Sequence, residues 1–129
     1  YLSPATRIVA VEPVGYDGMG SSVLAGEPVT KPHASGTICD GLMARRPGDA
    51  PFAAIGKSGL TPATVQDAAV CRAMKLAAER AKLILEPSGA ASLAAAIEGG
   101  FDLAGKTVVV IASGGNVALA DFMRHVADA

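Results

Sequence analysis

The residues with the clearest chemical potential follow an apolar run near the end of the chain. Residues 108–112 are all aliphatic, and Ser113, Gly114, Gly115 and Asn116 come directly after them. A serine at the end of a strand can present its hydroxyl to a ligand, and glycines let a flat group approach the backbone closely. The same segment could instead be a strand-to-helix turn in which Ser113 or Asn116 caps the next helix. The local pattern leaves both interpretations open.

Two carboxylates also stand where elements are predicted to end or begin. Glu12 follows a short β-branched run and precedes Pro13. A carboxylate there could be a metal ligand, a base or a loop anchor. Glu86 precedes Pro87 and Ser88, where Ser88 is the expected helix cap and Glu86 a favourable charge at the helix dipole.

Two strands are predicted to place the first and last of these motifs. Residues 7–11 and 107–112 are apolar on both faces and are separated by helical patterns. This arrangement predicts an α/β fold, in which a parallel sheet carries helices on both faces. Ligands bind beyond the carboxyl ends of the strands in such sheets. Both Glu12 and Ser113 fall there, which is the first indication of a site.

The other elements are predicted from hydrophobic spacing and from glycine and proline. Thr61 and Pro62 are typical of a helix start, and apolar residues at three- and four-residue spacing continue this helix to about Lys82. The remaining expectations are a helix or turn over 37–44, a short strand over 52–55 within an irregular stretch 45–59, a brief strand over 83–85, and helices over 88–97 and 117–126.

Composition restricts the class of protein. The chain has 129 residues, is 50% hydrophobic and 18% charged, and carries a formal net charge of -1, as expected of one globular domain. Its scattered charges predict neither a nucleic-acid partner nor a membrane surface, and no apolar stretch approaches the ~20 residues that span a bilayer. Cys39 and Cys71 lack metal-ligand spacing, which favours buried thiols in the cytoplasm.

Taken together, the motifs resemble those of one enzyme family. Their order and spacing are similar to those of the serine/threonine dehydratase and serine racemase family of pyridoxal-phosphate enzymes, which has the tryptophan-synthase-β fold (fold type II). The matching segments are residues 11–13, 37–42, 79–80 with 86–90, and 113–116.

The resemblance implies a cofactor site of pyridoxal 5'-phosphate. Ser113 matches the serine that hydrogen-bonds the pyridine nitrogen, and Gly114 and Asn116 belong to the same cofactor-binding segment. Gly41 matches the glycine that packs against the face of the ring. Glu86 matches a residue near the active site, without a firm catalytic role.

The resemblance also implies a site for a structural cation, Mg, Mn or Ca. Glu12 matches the carboxylate ligand and Tyr16 the main-chain carbonyl ligand. The family has a second acidic residue two positions after that carbonyl, and this chain has Gly18 there. Asp17 could substitute for it, or the site could be lost or filled by water.

The resemblance covers residues 1–129. It implies that they form the carboxyl-terminal part of a large cofactor-binding domain, without a separate regulatory domain. The Schiff-base lysine of the family lies outside this chain, so no catalytic residue is assigned within it. The implied partners are the amino-terminal part of the same protein, a small amino-acid substrate and, in the complete enzyme, a second copy in a homodimer.

The implied reaction is β-elimination of serine, threonine or a related β-hydroxy amino acid, which yields a 2-oxo acid and ammonia. A serine hydroxyl does not protonate the pyridine nitrogen as an aspartate does, and elimination tolerates the weaker electron sink. An amino-acid racemase of the same family is the nearest alternative. A non-catalytic α/β ligand-binding module is the alternative from another class.

Overall fold

A two-stranded parallel sheet lies at the centre of the fold. The computed structural model describes residues 5–32, 36–55, 59–127 and 129. Strand β1 (Val9–Pro13) pairs with strand β2 (Thr61–Val65), with Val9 opposite Thr61 and Pro13 opposite Val65. The predicted parallel sheet is confirmed.

Five α-helices accompany the sheet in the described ranges. They are α1 (Gly18–Ala25), α2 (Asp49–Ile55), α3 (Asp67–Leu76), α4 (Pro87–Glu98) and α5 (Leu119–Ala127). A 3-10 turn spans Asp40–Leu42, and a π-helical turn over Ala77–Ala81 extends α3. In the part of the chain that is described, no helix is long and apolar enough to cross a bilayer.

The strands carry helices on both faces. Successive side chains of a strand point to opposite faces. The Glu12 side chain reaches the backbone of α1, whereas Val11 packs against the apolar core to which α3 and α4 contribute. Helix α1 therefore covers one face of β1, and α4 covers the other.

Small residues form the centre of the core. Helices α3 and α4 pack against each other through buried alanines, and Val70, Met74 and Phe122 complete the interior. The buried alanines include Ala69, Ala73, Ala90, Ala91, Ala94 and Ala95. Because the chain has no tryptophan and few aromatic residues, close approach of these helices supplies much of the buried apolar contact.

The helix predicted to begin at Thr61 is wrong in its first part. Thr61 and Pro62 belong to β2, and α3 begins only at Asp67, after an extended Gln66. Two threonines and a valine favour an extended chain, and β2 can accept Pro62 because an edge strand tolerates a missing N–H. The predicted end is confirmed, since Lys82 takes a left-handed conformation with φ of 59° after the π-helical turn.

Other boundaries differ from the sequence expectations. Residues 52–55 lie in α2 rather than in a strand, and residues 83–85 form no strand. Asp49 in the first turn favours α2 through the helix dipole. The helix predicted over 88–97 and the turn within 37–44 are confirmed, while the closing helix begins two residues later than expected.

The predicted strand over residues 107–112 pairs with neither β1 nor β2. Within the described ranges, its backbone makes no hydrogen bond to another backbone group, and the Ser92 hydroxyl donates to the Ile111 carbonyl at 2.7 Å. Val109 and Ile111 are 85% and 72% exposed. A wholly apolar run is thus present without the neighbouring strand that would cover it.

The alanine seam between α3 and α4 leads to a stability prediction. Ala94 is fully buried, so Ala94→Leu forces extra methylene groups into a filled space and is expected to destabilise by about 1–3 kcal/mol. Urea unfolding of the protein at its full encoded length measures the change. Ala54→Leu on the exposed side of α2 is the control, and equal effects of the two changes would contradict a close-packed seam.

Candidate functional site

Three of the four family-like motifs meet at the start of α4. The Gly41 N–H donates to the Ser88 hydroxyl at 3.0 Å, which joins the 3-10 turn to the first turn of α4. The Glu86 N–H donates to the Gly114 carbonyl at 3.1 Å, which joins the same point to the segment after residue 112. Segments that are far apart in sequence thus share one corner of the molecule.

The start of α4 is built differently from the sequence expectation. Glu86 is the extended residue before the helix, Pro87 occupies the first turn, and no side chain caps the free N–H groups. Ser88, the expected cap, instead accepts the Gly41 N–H and points towards Asp40. Its hydroxyl therefore holds the neighbouring turn rather than its own helix.

Asp67 fixes the other end of that turn, and sequence reasoning missed it. Its carboxylate accepts the Thr37 hydroxyl at 2.5 Å and the Ile38 N–H at 3.1 Å. The available signal was an acidic residue in the first turn of a helix, which ordinarily indicates only a favourable dipole contact. A partner about thirty residues earlier in the chain leaves no local pattern.

Burial makes the thiol of Cys39, the residue before this turn, unreactive. Cys39 is fully buried, and burial raises the pKa of its thiol to about 11. Because the thiolate is the nucleophile, a thiol with so high a pKa has no role in catalysis at neutral pH. The geometry agrees with the sequence interpretation of Cys39 as a small buried apolar group.

Glycine at positions 89 and 115 is required by the packing of the protein itself. A Cβ atom on Gly89 would overlap the Gly114 backbone, and one on Gly115 would lie 2.5 Å from the Ile84 carbonyl oxygen. A Cβ on Gly114 would meet only the end of the Glu86 side chain, which can turn away. The sequence interpretation assigned Gly114 and Gly115 to a low wall beside the cofactor. The contacts of Gly89 and Gly115 show that these two glycines let residues 113–116 dock on the start of α4.

Ser113 carries a hydroxyl that nothing in the described chain occupies. The residue is exposed, and its side chain makes no hydrogen bond within the described ranges. Helix α5 begins at Leu119, too far along the chain for Ser113 or Asn116 to cap it. The capping alternative therefore fails, and the hydroxyl remains available to a ligand.

Glu86 adds a second free polar group beside that hydroxyl. Its side chain is half-buried against the Cα of Gly114 and has no hydrogen-bond partner among the residues that the structure describes. The corner thus combines a free hydroxyl, a free carboxylate and the exposed backbone of Gly41.

These groups fit a heteroaromatic cofactor. A serine hydroxyl can donate to a pyridine nitrogen or accept from it, and Ser113 and Gly41 are both exposed to a ligand. The lysines of the described ranges have other partners. Lys31 binds Asp17, Lys75 the Ala129 carbonyl, Lys82 the Glu79 carbonyl, and Lys106 binds Asp102. Lys57 lies outside the described residues.

The predicted metal position has a different geometry. Both oxygens of Glu12 accept backbone N–H groups of α1, from Met19 and Gly20, at 2.8 Å each. Burial raises the pKa of Glu12, although these two hydrogen bonds oppose the rise. Asp17 is engaged by Lys31 and Ser21. Among the described residues no three His, Cys, Asp or Glu side chains converge, so the donor set does not fit a divalent cation.

Comparison with known proteins identifies the family. The profile described as "Pyridoxal-phosphate dependent enzyme" matches residues 1–114. The biosynthetic L-threonine dehydratase IlvA of Mycobacterium tuberculosis is 38% identical over 113 residues, which are 86% of this chain and 26% of that protein.

Two solved structures share the fold. Maize serine racemase has a TM-score of 0.83 at 35% identity, and the match covers 98% of this chain and 41% of that one. The threonine deaminase of T.th. has a TM-score of 0.84 at 32% identity, covering 91% and 42%. The chain thus spans about a quarter to two fifths of the length of these relatives. Because the family profile matches most of its length and these structures share its fold, the chain belongs to the pyridoxal-phosphate dependent enzymes of fold type II.

Proposed function

We propose that residues 1–129 form the carboxyl-terminal part of the cofactor-binding domain of an enzyme that dehydrates serine, threonine or a related β-hydroxy amino acid. The products are a 2-oxo acid and ammonia. The observation that carries the proposal is the unpartnered Ser113 hydroxyl at the point where three family motifs meet. Relatives named threonine dehydratase and threonine deaminase support this choice of substrate.

Pyridoxal phosphate, when bound, withdraws electrons from the substrate and so makes its α-proton removable. Ser113 is proposed to hold the pyridine nitrogen by a neutral hydrogen bond. Because its hydroxyl is a far weaker acid than a pyridinium, the nitrogen stays unprotonated and withdraws electrons less strongly. Elimination suits this setting, since the electrons leave with the β-hydroxyl group.

The neighbouring residues are proposed to shape the site rather than to react. Gly41 presents bare backbone to the ring face and is held in place by its bond to Ser88. Gly114 keeps Ser113 at the start of α4, and Asn116 offers an exposed amide at the site rim. None of them supplies the proton-transfer group, which is proposed to be a lysine elsewhere in the polypeptide.

The rest of the polypeptide is proposed to complete the sheet. An open groove of about 560 Å³ separates β1 from residues 107–110, and its apolar lining includes Val9, Val11 and Phe101. A strand from the remainder of the protein would cover the unpaired apolar run and satisfy its backbone groups. Its carboxyl end would then lie between Glu12 and Ser113, at the edge of the sheet where ligands bind.

Racemisation of the same class of substrate is the second candidate, because the match to maize serine racemase covers nearly the whole chain.

The two reactions are distinguished by their products. The protein at its full encoded length, supplied with pyridoxal phosphate and L-serine or L-threonine, is expected to release 2-oxo acid faster than it forms the opposite enantiomer. Chiral chromatography and a dehydrogenase-coupled assay measure both. Racemisation without elimination would reverse the assignment, and a protein without visible cofactor absorbance would favour a non-catalytic module.

Ser113→Ala is predicted to weaken cofactor binding by roughly five- to tenfold and to lower kcat, because one hydrogen bond of about 1 kcal/mol is lost. Ser113→Asp is predicted to favour a protonated pyridine nitrogen and to change the ratio of elimination to other outcomes. Equilibrium titration with pyridoxal phosphate and product analysis provide the measurements. Ser92→Ala, which removes a hydroxyl bonded to Ile111, is the control. Wild-type values in both Ser113 variants would remove this residue from the site.

Gly89→Ala is predicted to destabilise by about 1–3 kcal/mol, because its methyl group overlaps the Gly114 backbone. Gly114→Ala meets only the end of the Glu86 side chain, which can turn away, and is expected to cost less. Urea unfolding of the protein at its full encoded length measures both changes. Equal effects of the two changes would contradict the docking of residues 113–116 on the start of α4.

Val109→Lys tests the proposed completion of the sheet. If a strand covers residues 107–112 in the protein at full length, the charge is buried and the expected cost is at least about 2 kcal/mol. Leu24→Lys, on α1, changes a similarly exposed apolar residue and is expected to cost little. Equal tolerance of both lysines, together with rapid amide exchange at residues 108–111, would contradict the completion.

A further inference from the structure

The corner between β1 and α1 contains Lys31, whose backbone N–H and carbonyl are both hydrogen-bonded. The Lys31 N–H donates to the Arg45 carbonyl at 2.9 Å, and the Lys31 carbonyl accepts the Arg45 guanidinium at 2.9 Å. Two residues earlier, the Val29 N–H donates to Ser22 of α1. We call residues 29–31 the strap. Because both ends of the strap are bonded, the Lys31 side chain starts from a fixed backbone.

The Lys31 ammonium is bonded to the first turn of α1. It donates to the Asp17 carboxylate at 3.1 Å and to the Ser21 hydroxyl at 3.2 Å, and Ser21 donates in turn to Asp17 at 3.0 Å. The Lys31 and Asp17 side chains are 26% and 27% exposed, which makes this pair the most buried of the ion pairs in the described ranges. Partial burial reduces the solvent screening that makes surface pairs weak.

Glu12 is part of the same group of charges. Its oxygens accept the two N–H groups of α1, and the negative charge of Asp17 and the positive charge of Lys31 both influence its pKa. Burial opposes ionisation of Asp17, but its hydrogen bonds, that from Lys31 foremost, outweigh this effect and lower its pKa. Asp17 therefore pairs directly with the ammonium, whereas Glu12 lies at the same helix start and is held by backbone N–H groups.

The backbone of Arg45 lies close to the position of the missing acidic ligand. A Cβ atom on Gly18 would lie 3.0 Å from the Arg45 carbonyl oxygen, the same oxygen that accepts the Lys31 N–H. A side chain at position 18 would require this backbone to move by a few tenths of an ångström. Glycine at position 18 thus suits the close approach of the carbonyl that holds the strap.

We propose that Lys31 is the built-in counter-charge of Asp17 beside Glu12, and that it replaces the divalent cation expected at this corner. The replacement keeps the turn between β1 and α1 closed without a metal. It stands independently of the proposed reaction, because the corner lies on the face of β1 opposite the core and contributes no group to the Ser113 site.

The proposal predicts that removal of the ammonium creates a response to metal. A cleft of about 280 Å³ gives access to Glu12, Asp17 and Ser21. In Lys31→Ser, Asp17 loses its counter-charge beside Glu12, and Mg²⁺, Mn²⁺ or Ca²⁺ can approach through this cleft. Without added metal, the unfolding midpoint is expected to fall by about 4 °C, and a millimolar divalent cation is expected to recover part of it.

The experiment compares four proteins at full encoded length: wild type, Lys31→Ser, Lys31→Arg and Lys106→Ser. Thermal unfolding is followed with chelator and with each chloride salt, and metal content is measured by mass spectrometry. Wild type and Lys31→Arg are expected to contain little metal and to show no metal-dependent midpoint. Lys106→Ser, which breaks an exposed pair with Asp102, should match the wild type.

Two results would overturn the proposal. One is stoichiometric metal in the wild-type protein, with a chelator-sensitive midpoint that Glu12→Gln abolishes, because the cation would then be resident. The other is a Lys31→Ser protein indistinguishable from Lys106→Ser in midpoint and metal response. If Lys31→Ser does not fold, the metal content and chelator response of wild type and Lys31→Arg decide the question.

Discussion

The docking of residues 113–116 on the start of α4 is the contact on which the site depends. Gly89 and Gly115 allow it, because side chains at these positions would overlap neighbouring backbone. The approach fixes the direction of the chain as it leaves the apolar run and leaves the Ser113 hydroxyl exposed. The same helix start holds the turn that contains Gly41. A single helix terminus therefore sets the positions of the hydroxyl, the free carboxylate and the bare backbone beside them.

Two carboxylates that look alike in sequence have different surroundings. Glu12 and Glu86 each precede a proline at the end or the start of an element. Glu12 faces α1 and has both oxygens bonded to backbone N–H groups, so it is a structural group. Glu86 lies before its own helix but does not cap it, and its oxygens lie beside Gly114 without a hydrogen bond to any described residue. The two side chains point to different faces of the fold. Tertiary packing, not the local sequence, decides this direction.

The parallel arrangement and the helix over 88–97 could be predicted from sequence, because apolar runs, alanine spacing and glycine pairs are local signals. Thr61 and Pro62 misled because a helix start and a β-branched edge strand share the same residues, and only pairing with β1 distinguishes them. Two hydrogen bonds join residues that are far apart in sequence, from Thr37 to Asp67 and from Gly41 to Ser88. Such contacts leave no local pattern. The apolar run over residues 107–112 predicted a strand, but these residues form none, because no strand pairs with them among the described elements.

The proposed site depends on a hydrogen bond between the Ser113 hydroxyl and the nitrogen of a pyridine ring. Nitrogen NMR of the protein at full encoded length, loaded with pyridoxal phosphate labelled at the ring nitrogen, detects this contact. We expect the resonance of an unprotonated, hydrogen-bonded nitrogen in the wild type, and a shift towards that of a nitrogen without this hydrogen bond in Ser113→Ala. A protonated nitrogen in the wild type, or a resonance that Ser113→Ala leaves unmoved, would contradict it.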